Sequence, residues 1–208
     1  MAYAFLGSVH RRDYYLGSGE ESTEKGIEMT QKALAMDDSI PLAHAILGSL
    51  YAAKREYDKA IAEGERSLAL DPGEARICDL YAQTLHRVGR EEEAILMYQK
   101  ALRLNPFGSP TIFHSFGNAL QATGRFEEAV SAYKKALQLA PNDIFAHLGL
   151  ASTYSKMGRE KEARAEAAEV LRIDPKFSLD NYAKTSLSYK DQSVNDRIVA
   201  ALRKAGLK

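Results

Sequence analysis

YDKAIAEGERSLALDP (residues 57–72), EEEAILMYQKALRLNP (91–106), FEEAVSAYKKALQLAP (126–141) and EKEARAEAAEVLRIDP (160–175) are four versions of one sixteen-residue pattern. Alanine is the fourth residue of each stretch and proline is the last. The prolines are 34, 35 and 34 residues apart. A fixed period of this length is typical of a chain built from stacked copies of one small unit.

Each period predicts two helices, A and B. Helix B ends before the proline, because the residue that precedes a proline is forced out of the helical conformation. Glycine follows helix A in three periods, at 89, 124 and 158, and Arg55 takes that place in the first. Glycine ends a helix readily because the left-handed conformation costs it nothing. The predicted A helices are 42–54, 76–88, 111–123 and 145–157, and the B helices are 57–70, 91–104, 126–139 and 160–173.

These helices divide the chain into repeats at 41–74, 75–109, 110–143 and 144–177. Residues 1–40 are predicted to be a divergent first repeat, with Tyr14 and Tyr15 in its helix A and extra residues around 20–23. Its proline is replaced by Asp38. Residues 178–208 leave the period and are predicted to form two capping helices, at 180–189 and 194–205, because a stack of repeats needs a polar outer end.

The pattern resembles the tetratricopeptide repeat (TPR). With the positions of a repeat numbered 1 to 34, residues 110–143 carry Phe116-Gly117 at 7–8, Gly124 at 15, Ala129 at 20 and Tyr133 at 24. The resemblance implies an all-α fold: a right-handed TPR superhelix, or α-α solenoid, of about five repeats with capping helices. Gly64 and Ala167 stand where the family has an aromatic residue, so we expect looser packing there.

A narrower resemblance lies at the end of the chain. The stretches DPKFSL (174–179) and DRIVAALRKAGL (196–207) are similar to the ends of TPR modules fused to bacterial class III adenylate/guanylate cyclases and to winged-helix regulators. This resemblance implies a regulatory or scaffolding part of a bacterial signalling system. Neither a cyclase domain nor a winged helix can be placed in the sequence.

Composition excludes several classes of function. Lys+Arg and Asp+Glu both number 28, so the basic excess of a nucleic-acid-binding protein is missing. The sequence contains no run of eighteen apolar residues, so no membrane span is predicted, and we expect a cytoplasmic protein. Phosphate-binding loops, nucleophile elbows and paired cysteines are absent from the sequence, and no two histidines have metal-ligand spacing on one helix. We therefore expect no enzyme activity, no cofactor and no metal.

Three residues of chemically versatile types fall at position 4 of their repeats, where the family buries a bulky side chain. They are His44, Cys78 and His147. A buried thiol is usually inert. We predict that all three belong to the core.

Positions 2, 5, 9 and 12 of helix A share one face and are predicted to line the concave side of the stack. We call the following set the predicted groove residues, with Arg87 and Lys156 at the rim: Ala45, Ser49, Arg76, Asp79, Gln83, His86, His114, Asn118, Gln121, Phe145, Leu148 and Ser152. Such a groove suits an extended peptide or a helix of a protein partner.

Co-chaperone TPRs hold a peptide carboxylate with basic residues, whereas Asp79 would repel one at its position. Two other functions remain open. One is a sensor that holds a small ligand near Gln83, His86 and His114, and the other is homotypic assembly into a homo-oligomer. For a groove variant such as Asn118→Ala we expect nearly unchanged stability.

Replacing Ala94 or Ala129 by leucine tests the assignment of the repeats. Each alanine is predicted to lie where helices A and B approach most closely, so added side-chain volume forces them apart. We expect a loss of about 1–3 kcal/mol in the free energy of unfolding, measured by urea denaturation. A neutral result would show that the position numbering of that repeat is wrong.

Overall fold

The computed structural model describes residues 19–187 and 189–208. Within these residues every regular element is a helix, which confirms the predicted all-α class. The helices are α1 (Gly19–Met36), α2 (Pro41–Ala53), α3 (Tyr57–Leu70), α4 (Ala75–Val88), α5 (Glu91–Leu104), α6 (Pro110–Ala122), α7 (Phe126–Leu139), α8 (Ile144–Lys156), α9 (Glu160–Ile173), α10 (Leu179–Thr185) and α11 (Gln192–Lys204).

The chain divides into two compact units, residues 1–106 and residues 107–208. In unit one the pairs α2–α3 and α4–α5 pack as hairpins, and α1 packs on α2. In unit two α6–α7 and α8–α9 are the hairpins, and α11 packs on α8. Each unit is therefore a short stack of helical hairpins.

Helices α3, α5, α7 and α9 have the predicted B-helix bounds, and the four A helices begin and end within one residue of their predicted ranges. The residue before each of the four prolines is extended, with ψ between 89° and 92°. The positive φ expected at the end of helix A occurs at Gly89 (89°) and also at Arg55 (63°). Backbone geometry thus marks the hairpin turns as the sequence predicts.

The ends of the chain differ from the predicted helices. Residues 20–23 lie inside α1 rather than in an insertion, and the predicted helix A around Tyr14 and Tyr15 falls outside the described residues. Helix α10 ends at Thr185, four residues early, and Leu187 is buried beyond its end. No glycine or proline between 179 and 191 signals that end. The backbone N–H of Leu179 donates to the carbonyl of Lys208 at 2.7 Å, which joins the end of the chain to the start of α10.

Small residues set the distance between the two helices of a hairpin. Ala60, Ala94, Ala129 and Ala163 are all fully buried. A Cβ placed on Gly48 would lie only 2.9 Å from the carbonyl oxygen of Ala60, so α2 and α3 touch through their backbones. The close approach predicted for these positions is present at Ala60, and the other three alanines are buried as it requires.

Tyrosine rings occupy the space beside three glycines of the helices. A Cβ on Gly64 would meet the ring of Tyr81 at 2.2 Å. The expectation of looser packing at Gly64 was therefore wrong, because a side chain of the following helix A occupies the space. In unit two the ring of Tyr133 lies against both Gly117 and Gly149, so one side chain of α7 joins α6 to α8.

Within the described residues no helix is long and apolar enough to cross a membrane.

Replacing Gly149 by alanine tests the ring-into-glycine packing. The new Cβ would lie 2.3 Å from the fully buried ring of Tyr133, which has to move. We expect a steric cost of about 1–3 kcal/mol, which outweighs the gain of roughly 0.5–1 kcal/mol from alanine's helix propensity. Urea denaturation measures the net loss.

Gly73→Ala is the matched control, because its added Cβ would meet nothing closer than an Asp71 carboxylate oxygen at 3.6 Å. We expect its effect on unfolding free energy to stay within about 0.5 kcal/mol. A Gly149→Ala variant as stable as the parent protein would rule out this packing.

Candidate functional site

The predicted groove residues of unit one are mostly enclosed. Ala45 and Ser49 of α2 are each 2% exposed, and Gln83 and His86 of α4 are also buried, whereas Arg76 is exposed. The Gln83 amide donates to the Asp79 carboxylate at 3.0 Å, one turn away on the same helix. His86 Nδ1 bonds the Glu91 carboxylate at the start of α5. Gln83 and His86 are thus engaged within α4 and its hairpin partner, whereas the buried Ser49 hydroxyl has no hydrogen-bond partner among the described residues.

The predicted groove residues of unit two include accessible side chains. His114 and Asn118 of α6 and Phe145 of α8 are partly exposed. The rings of His114 and Phe145 lie 5.6 Å apart, centroid to centroid, so the two helices present them together. Gln121, Leu148 and Ser152 are buried beside them.

His114 is held by the carboxylate that caps α8. Its Nδ1 donates to Asp143 Oδ2 at 2.8 Å, and Asp143 Oδ1 accepts the backbone N–H groups of Phe145 and Ala146. Burial acts to raise the pKa of Asp143, but the His114 bond and these N–H groups outweigh it and hold the pKa below its ordinary value. Asp143 is therefore ionised at neutral pH and holds the His114 ring through Nδ1.

Two amides of α6 join neighbouring helices. Asn118 Oδ1 accepts the hydroxyl of Tyr133 at 2.7 Å. The Gln121 amide nitrogen donates to the Gly149 carbonyl at 3.2 Å and to Thr153, and its oxygen accepts from Lys156 at 2.9 Å. The Tyr133 bond changes the expectation that Asn118→Ala leaves stability nearly unchanged. Removing the acceptor leaves the buried Tyr133 hydroxyl with one hydrogen-bond partner fewer, so we expect a loss of about 1 kcal/mol or more in the free energy of unfolding.

Lys156 is a rim residue whose charge is poorly compensated. Burial of its ammonium and, to a lesser extent, the nearby Arg197 of α11 lower the pKa of Lys156 to about 8. Its one bonded partner within the described part of the chain is the neutral Gln121 amide. Lys156 thus brings positive charge to the accessible side of unit two without a carboxylate beside it.

His44 and His147, predicted to be core residues, are buried but also bridge helices. His147 Nδ1 bonds Glu166 Oε2 at 2.6 Å and its Nε2 bonds the Pro141 carbonyl at 3.1 Å. His44 makes the same two contacts with Glu63 at 2.6 Å and the Asp38 carbonyl at 2.8 Å. Sequence reasoning missed the glutamate partners. The available signal was a glutamate nineteen residues after each of these histidines.

Both nitrogens of His147 face acceptors, so the doubly protonated ring satisfies both contacts. The hydrogen bond to Glu166 is the main reason that the pKa of His147 is raised above its ordinary value, against a smaller opposing effect of burial. The folded chain holds this proton more tightly than the unfolded chain. The stabilisation is therefore complete below the ordinary histidine pKa of about 6.5 and is lost as the pH rises through the raised value.

Glu166→Gln tests this bridge. We expect the variant to lose about 1–2 kcal/mol of unfolding free energy near pH 5.5, because a hydrogen bond to a charged partner is removed. The difference from the parent protein should shrink by pH 8.5 in urea titrations. Glu127→Gln, at an exposed position of α7, is the control. A pH-independent difference for Glu166→Gln would exclude a charged His147.

Cys78 is fully buried in α4, and burial raises the pKa of its thiol, as expected for a packing residue. Nowhere in residues 19–187 or 189–208 do three His, Cys, Asp or Glu side chains come together in a way that could hold a metal ion.

Helical hairpins of this length, stacked through small residues, define a helical-repeat protein. Three family models described as tetratricopeptide repeat match residues 21–75, 75–107 and 120–185. The chain therefore contains tetratricopeptide repeats.

Solved structures agree with this fold. PilW, a type IV pilus biogenesis factor, is 20% identical with a TM-score of 0.73, over 97% of this chain and 88% of PilW. A thermophilic TPR protein of Thermus thermophilus is 20% identical with a TM-score of 0.70, over 97% and 99% of the two chains. YrrB, a TPR protein with an unusual peptide-binding site, is 22% identical with a TM-score of 0.58, over 85% and 90%. No curated protein matches the sequence. At these identities the likeness supports the fold alone.

Proposed function

We propose that this chain is a non-catalytic module that binds a peptide or an extended segment of a protein partner along the predicted groove residues of unit two. The observation that carries the proposal is the accessible face of unit two. There His114, Asn118 and Phe145 combine a partly exposed aromatic ring with polar side chains held in fixed orientations. Such a surface offers both an apolar contact and hydrogen bonds, which peptide recognition requires.

The structural neighbours are consistent with this proposal. YrrB is described as having a peptide-binding site, and the TPR fold is common to both proteins. The resemblance of residues 174–179 and 196–207 to modules of bacterial cyclases and winged-helix regulators supports a regulatory or scaffolding part in a signalling system, in the cytoplasm. Nucleic acid is not a proposed partner, because the chain has no net positive charge.

Selection of peptides from a random displayed library on the full chain tests the proposal. We expect specific binders, and we expect Phe145→Ala to weaken a selected peptide about tenfold, because its apolar contact is removed. Calorimetric titration measures the dissociation constant.

Leu139→Ala is the matched control, since Leu139 is an exposed apolar residue of the same unit on α7. Its affinity should equal that of the parent protein. Failure to select any peptide would contradict the proposed function, and equal losses for the two variants would place the binding surface elsewhere.

A further inference from the structure

Three side-chain acceptors on this side of unit two are used in internal bonds. Asn118 Oδ1 takes the Tyr133 hydroxyl, Gln121 Oε1 takes the Lys156 ammonium, and Asp143 takes His114 and two backbone N–H groups. The oxygens of these three side chains are therefore committed to holding the hairpins together.

The hydrogen-bonding capacity that remains on this face consists mainly of donors. Asn118 keeps its amide N–H groups, and Lys156 keeps the N–H groups not used by Gln121. His114 Nδ1 is fixed on Asp143, so its Nε2 is an acceptor in the neutral ring and a donor only in the protonated ring. A ligand that pairs with Asn118 and Lys156 must therefore supply acceptors.

The positive charge on this side of unit two also favours a ligand that supplies acceptors. The Lys156 side chain is exposed overall although its ammonium is partly buried beside Gln121, and across the described residues it makes no ion pair. Arg197 lies close enough to oppose its charge, and Asp191 partly balances Arg197 but not Lys156. Lys156 and Arg197 are two neighbouring cations, and among the residues that the structure describes Lys156 is bonded only to the neutral amide of Gln121. This arrangement favours the binding of an anionic group from outside the chain.

The spacing of the face sets the length of the ligand motif. His114 and Phe145 lie at one end, and Gln121 with Lys156 at the other, seven residues further along α6. Seven residues of an α-helix span about 10 Å. An extended peptide covers the same distance in about three residues.

We propose that unit two recognises an acidic segment in which a large apolar residue and an aspartate or glutamate are three positions apart. The apolar side chain packs on Phe145, the carboxylate pairs with Lys156, and a backbone carbonyl between them accepts from Asn118. Asp79, which would repel a carboxylate at its own position, belongs to unit one and is bonded to Gln83. The inference rests on the proposed peptide-binding function and adds the chemistry of the partner.

Capped synthetic peptides test the inference by calorimetric titration against the full chain at low salt. The reference peptide carries one leucine and, three positions on, one glutamate in a glycine/serine background. We expect glutamine in place of the glutamate to weaken binding about five- to tenfold, since one charge-assisted hydrogen bond is removed. The advantage of the glutamate peptide should fall as salt rises from about 0.05 to about 0.5 M.

Variants of the chain assign the preference to Lys156. Lys156→Gln should bind the glutamate and glutamine peptides equally, and Lys156→Arg should keep the preference. Lys134→Gln, an exposed lysine of α7, should behave as the parent protein does. Circular dichroism checks that each variant is folded.

The outcomes separate the inference from the function on which it rests. Equal binding of the glutamate and glutamine peptides by the parent protein, or a preference that survives Lys156→Gln, would overturn the acidic motif. Library selection that yields only non-acidic binders would also overturn it and leave peptide binding intact. Selection that yields no peptide would overturn both.

Discussion

The close contact between the two helices of a hairpin is the constraint on which the rest of the structure depends. A hairpin of two helices this short cannot bury its apolar side alone and must stack on its neighbours. Stacking requires the helices of each hairpin to be near one another, and Ala60, Ala94, Ala129 and Ala163 provide that separation. The glycines extend the same principle, because Tyr81 and Tyr133 enter spaces that a Cβ would fill.

Polar side chains supply a second kind of connection between hairpins. His147 joins its own helix to α9 and to the turn that precedes it, and His44 does the same in unit one. Gln121 reaches from α6 to the backbone of α8. Such bonds are directional, so they fix the rotation of one helix against the next more strictly than apolar packing does.

The binding properties proposed for unit two follow from this internal use of polar groups. Because the acceptor atoms of Asn118, Gln121 and Asp143 stabilise the stack, the donors left for a ligand are the Asn118 amide and the Lys156 ammonium. Unit one shows the alternative arrangement, in which Asp79 and Gln83 pair with each other on one helix. Two stretches with the same repeat pattern therefore present different chemistry, although their helices have equivalent bounds.

The sequence by itself determined the eight helices of the four regular repeats, their ends and the hairpin order, but not the ends of α1 and α10. These depend on interactions within a few residues: the conformation forced by each proline, the left-handed residue after helix A, and the alanine at each crossing. Only the tertiary structure decided which side chains of the groove stripe are accessible, that Tyr81 fills the space beside Gly64, and that Glu63 and Glu166 pair with histidines. Those outcomes depend on the rotation and separation of helices distant in sequence, which a period of 34 residues does not specify.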